Sequence, residues 1–150
     1  MKQTIKVANW IGIAVVAMLQ YGCRPQYPVN IPYVDVDVTI NLFDPQYVNL
    51  QGVGGSAYLD GGSRGIFVYR VSIDQFNAYE RHCTYDSENP CGKVTLDDNG
   101  LFLVDDDCFE SGCGSRFNII NGSNVDGPAQ YPLIQYNAVY DGGVLLHIYN

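Results

Sequence analysis

Four cysteines stand in the middle of this 150-residue chain, at Cys83, Cys91, Cys108 and Cys113, with seven, sixteen and four residues between successive members. Thiolates pair as disulfides, hold soft or borderline metals, or act as nucleophiles. Structural zinc sites favour about two to four residues within each pair, so the Cys83–Cys91 interval is wide for one. Two histidines are the other soft donors. His82 adjoins Cys83, and on an extended segment neighbouring side chains point to opposite sides, so the two do not share a metal. His147 falls in an alternating terminal segment and reads as a surface or hydrogen-bonded residue. Asp105, Asp106 and Asp107 form the densest charge cluster but lack the alternating ligands and turn glycine of a calcium loop, so a solvated loop is expected. Glu80, Glu88 and Glu110 supply carboxylates that nothing pairs, and no serine stands in a nucleophile elbow. The residues predict no catalytic set and no enzyme in its own right.

Composition narrows the setting. The chain is 47% hydrophobic and carries 16 acidic against 8 basic residues, a formal charge of −8. That excludes disorder and a polytopic membrane protein, and eight dispersed cations exclude a nucleic-acid binder. At the N-terminus Lys2 and Lys6 precede a nine-residue apolar run, Ile11 to Leu19, and then Gly22-Cys23. Such a run is too short to span a bilayer, which takes about 20 residues, and reads as a secretory leader over residues 1–22. Leu19-Gln20-Tyr21-Gly22-Cys23 resembles a bacterial lipobox, which implies cleavage before Cys23, lipidation of its thiol and a membrane tether. Cleavage there removes two basic residues and no acid, leaving −10.

Residues 23–32 carry three prolines and read as a spacer; residues 33–150 are the expected domain. From Val34 to Leu42 valine, isoleucine and leucine alternate with polar residues, the signature of a half-buried strand. Further strands are expected at Ser56–Leu59, Ile66–Val71, Phe76–Glu80, Lys93–Leu96, Leu101–Val104, Arg116–Ile120, Ile134–Val139 and Val144–Tyr149. Asn99-Gly100, Asn121-Gly122 and Asp141-Gly142 suit tight hairpin turns. Asp44-Pro45 opens one short helical turn, and Gly52-x-Gly54-Gly55 is a loop. No long amphipathic helix is present, so the class is all-β, an antiparallel sandwich or barrel.

The order Cys83-Thr84-Tyr85, Cys113-Gly114-Ser115-Arg116-Phe117, Gly127-Pro128-Ala129, then Leu133 and Tyr136, resembles the Rieske iron–sulfur domain over roughly residues 60–149. The resemblance implies a Rieske-like sandwich with two cysteine-bearing loops, a [2Fe–2S] site between them and a covering loop at Gly127, Pro128 and Ala129. Carried over, Cys83 takes the first ligand cysteine and Cys108 the second. Tyr85 and Cys113 fall where the two ligand histidines belong, so both histidines are absent. Tyr85 is expected to be buried against the sheet. In an oxidising compartment four cysteines read as disulfides, with three connectivities open. If the loops close as in Rieske domains, at least one bridge links the Cys83–Cys91 loop to the Cys108–Cys113 loop. A zinc or two-iron centre is the second use of the thiols.

The expectation is therefore a lipid-anchored protein of the bacterial envelope, at the outer membrane, with no cofactor, serving as a structural or binding accessory to an envelope partner. The alternative is an electron-transfer protein with a non-standard [2Fe–2S] centre.

Overall fold

The computed structural model describes residues 29–85, 87–90, 92–105 and 113–150. The leader, Cys23, Cys91, Cys108, Asp106, Asp107 and Glu110 lie outside the described residues.

The chain builds two antiparallel sheets. The larger has six strands: β1 (Asp37–Asn41), β2 (Ser56–Leu59), β3 (Ile66–Arg70), β4 (Phe76–Glu80), β9 (Gln135–Tyr140) and β10 (Leu145–Tyr149), in the order β1-β10-β9-β4-β3-β2. The smaller is a meander of β5 (Thr95–Leu96), β6 (Phe102–Val104), β7 (Arg116–Asn118) and β8 (Asn124–Asp126). This is the all-β class expected, a two-sheet arrangement consistent with a Rieske-like sandwich. Among the described residues the single helical element is a 3₁₀ helix, Pro45–Gln51, which starts at the expected Asp44-Pro45 step. Its closing Gly52 leads into the expected glycine loop.

Alternation explains the first strand. Val36, Ile40 and Leu42 are buried on one face with Val38 partly so, while Asp37 and Thr39 face out. The ladder begins later than the sequence pattern does. Val34 and Val36 are held instead by the Asn150 side chain, which donates to the Val34 carbonyl and accepts from the Val36 amide. Gly100, Gly122 and Gly142 all adopt positive φ, the conformation their hairpin turns require. Strand β8 was not expected, because Asn124-Val125-Asp126 has one apolar residue and no pattern. It forms as the return arm of the Asn121-Gly122 turn, where Asn118 donates to the Ser123 carbonyl and accepts from the Gly122 amide.

Two apolar clusters result. One packs Val36, Ile40, Leu50, Ile66, Val68, Leu146 and Ile148 beneath the large sheet. The other gathers Phe67, Tyr79, Val94, Leu103, Phe117 and Leu133 between the sheets, and Cys83 belongs to it. The second cluster fixes the ends of β4, β6 and β7, from which the site is built.

Candidate metal centre

Three loops bring three donors together. Cys83 follows β4, past the isolated bridge between His82 and Lys93. Asp105 is the first residue after β6 and Cys113 lies just before β7. Backbone bonds carry the β6–β7 ladder beyond the strands: the Asp105 amide donates to the Ser115 carbonyl, and the Gly114 amide to the Asp105 carbonyl. The result places Cys83 Sγ 3.6 Å from Cys113 Sγ, and Cys113 Sγ 3.2 Å from Asp105 Oδ2. One ligand atom from each of the three residues lies within 4.8 Å of the others.

These spacings fit a metal. Two sulfurs on one tetrahedral ion, each bonded at about 2.3 Å, sit about 3.8 Å apart, and a sulfur and a carboxylate oxygen about 3.6 Å apart. They do not fit a disulfide, whose sulfurs are about 2.05 Å apart. The two cysteine loops are brought together as the resemblance implied, but Cys83 and Cys113 are free thiols. Burial pushes the Cys83 thiol well above its ordinary pKa, and a hydrogen bond with Asp105 adds to the shift. The site therefore holds a proton where a cation would displace one.

Asp105 corrects the sequence reading most directly. Expected in a solvated loop, it is 1% exposed, and its Oδ1 is a buried oxygen with no hydrogen-bond partner. The physical reason is that the β6–β7 pairing runs on past Val104, the Asp105 amide donating to the Ser115 carbonyl, which holds Asp105 against the Cys113 loop.

Residues 127–129 rest on the Cys113 loop. Ser115 Oγ lies 3.0 Å from Cys113 Sγ and accepts from the Ala129 amide at 3.0 Å. Gly127 has φ +85°, and a Cβ there would lie 2.6 Å from Ser115 Cα. Pro128 lines a surface pocket with Thr84, Tyr85 and Tyr131.

Tyr85 is 55% exposed, which corrects the expectation of a buried tyrosine. The inward position goes to its neighbour Thr84, whose hydroxyl donates to the Tyr131 carbonyl at 2.8 Å, and the chain then bends outward. His82 turns away from the thiols, as expected. Its Nε2 lies 2.9 Å from the Ser87 carbonyl, which can only accept, so the proton is on Nε2 and Nδ1 accepts from Ser63 Oγ at 2.8 Å. His147 is hydrogen-bonded at the surface to Asp37, 2.7 Å away. The two-histidine ligand set of a Rieske cluster is thus not assembled by either histidine. Glu80, expected to be a carboxylate that nothing pairs, is buried and accepts from the amides of Ser63, Arg64 and His82 and from the Tyr136 hydroxyl. It is a satisfied anchor, not a ligand.

The chain matches no known protein family, and no curated protein is similar to it. One solved structure it resembles is the complex of reduced oxygenase and oxidized ferredoxin in carbazole 1,9a-dioxygenase, at 26% identity and a TM-score of 0.43, covering 64% of this chain and 81% of that one. The Cys83–Asp105–Cys113 set, which could hold a metal ion, corrects the expectation that the chain carries no catalytic set, and it favours a bound cofactor over the expected absence of one. The outer-membrane envelope placement is also withdrawn: the leader and Cys23 that carried it lie outside the described residues, and among the described residues no helix is long and apolar enough to cross a membrane.

Proposed function

We propose that this domain is an electron-transfer module with an iron–sulfur centre of unusual ligation, Cys83, Cys113 and Asp105 being among its ligands. The observation that carries the reading is the convergence of two thiols and a buried carboxylate within 4.8 Å, at the end of the sheet where the two cysteine loops meet. When bound, such a centre supplies one-electron transfer at a potential set by ligand charge, hydrogen bonds to sulfur and burial.

The chain's own residues set those conditions. The Ser115 hydroxyl and amide both lie against Cys113 Sγ, at 3.0 and 3.4 Å. The amide donates to the sulfur, and the hydroxyl, which accepts from the thiol, would donate to a thiolate; such bonds stabilise charge on a thiolate and raise the reduction potential of what it holds. Ala129, Leu103 and Phe117 exclude water from the inner side. On the outer side Tyr85, Pro128 and Tyr131 form a partly apolar rim, suited to docking a redox protein over the site.

The test is anaerobic purification of the full chain, followed by metal analysis and visible spectra before and after reconstitution with ferrous iron and sulfide. Bound iron with sulfur-to-iron charge-transfer absorption, bleached by dithionite, is the expected result. A colourless protein after reconstitution, or one that binds zinc and excludes iron, overturns electron transfer.

A further inference from the structure

A second candidate site is lined by none of Cys83, Asp105 and Cys113. The loop joining β2 to β3 forms one wall of a groove of about 400 Å³, with Tyr47, Tyr58, Asp60, Arg64, Arg81 and Lys93 among its lining. Five lysine and arginine residues fall within the described part of the chain, and three of them meet here. The other two lie outside the groove. Arg70 is buried and donates to the carbonyls of Leu50, Gln51, Ser72 and Ile73, and Arg116 pairs with Asp97.

The groove cations are held in place from behind. Arg64 Nη1 donates to the Gly92 carbonyl at 2.6 Å, and Arg81 Nε donates to the Val94 carbonyl at 3.0 Å. The Arg81 guanidinium also stacks 4.0 Å over the Tyr58 ring. Beneath the loop, Glu80 is spent on the amides of Ser63 and Arg64. One carboxylate, Asp60, lines the groove against three cations. Neither Arg64 nor Lys93 is in an ion pair among the described residues. Arg64 and Lys93 are partly buried and Arg81 is buried, and cations of one sign in a cleft focus a positive potential, here in a chain whose formal charge is −8.

We propose that this groove binds a small organic molecule carrying two or more oxyanion groups, carboxylate or phosphate. Its size suits a small ligand, since such pockets run from about 300 Å³ upward. The Arg64 guanidinium would take one oxyanion by charge-assisted hydrogen bonds with the buried Arg81 charge behind it, Lys93 a second, and the Tyr47 and Tyr58 rings the carbon frame between. This site does not depend on any metal at Cys83, so its failure and that of the electron-transfer reading are separable.

Calorimetric titration of the full chain with citrate and with pyrophosphate tests it. Saturable binding of at least one probe is expected, weakening as sodium chloride is raised. Lys93→Gln should lose at least fivefold in affinity and Lys93→Arg should retain it, with the circular dichroism of both variants unchanged. Absence of saturable binding by either probe, or equal affinity in Lys93→Gln, overturns the proposal. If Lys93→Gln fails to fold, Arg64→Gln read in the same titration decides it by the same criterion.

Discussion

Burial of Asp105 beside two thiols sets the terms on which the site accepts a cation. A buried carboxylate with an unpartnered oxygen destabilises the fold unless something positive sits against it. Asp105→Asn should therefore weaken cobalt(II) binding, followed by its thiolate charge-transfer band, by about tenfold or more. The same variant should leave the thermal stability of the metal-free protein unchanged or raise it; a marked fall in stability would make Asp105 a structural residue instead. His82 titrates in the opposite sense to a paired histidine. Burial lowers its pKa below the ordinary 6.5, so the folded state prefers it neutral while the unfolded chain takes up a proton near 6.5. Its contribution is complete above that pH and is lost as pH falls below it. Urea midpoints at pH 8 and pH 5.5 should show a drop that shrinks in His82→Gln; an identical drop would remove His82 as its source. At this scale the sequence was readable for His82, because neighbours on an extended segment diverge. It misled for Asp105, because three consecutive aspartates look solvated until the pairing with the Cys113 loop is known to run on past Val104.

The loops do the positioning, and their glycines separate turn from contact. Gly100 and Gly127 both have positive φ, but nothing lies within 4 Å of a Cβ at Gly100, whereas one at Gly127 meets the Ser115 backbone. Gly100→Ala should cost about 1 kcal/mol from conformation alone, and Gly127→Ala about 2 kcal/mol or more because backbone cannot move aside. Equal costs in urea denaturation would mean that residues 127–129 do not rest on the Cys113 loop in solution. Most strands were legible from alternation and turn chemistry. Ser56–Leu59 and Phe76–Glu80 run as expected, while strands at the small sheet are shorter because two or three paired residues suffice to hold a meander. Strand β8 was hidden, since its register comes from a neighbour and a turn, not from its own apolar residues.

Across the whole molecule, composition announced the β class, and ordered motifs announced where the cysteine loops would meet. It could not announce the groove, whose three cations come from positions 64, 81 and 93 and are gathered only by the pairing of β2, β3 and β4 and the bridge at His82. The order of the large sheet carries one more consequence. Strand β1 has a single neighbour, β10, and the pairing Asp37–Tyr149 through Asn41–Leu145 joins the earliest strand to the last. During synthesis β1 leaves the ribosome about a hundred residues before its partner exists, a wait on the order of ten seconds at about 5–20 residues per second. Through that interval the apolar side of Val36, Ile40 and Leu42 has no sheet to join, which leaves this strand open to capture by a chaperone.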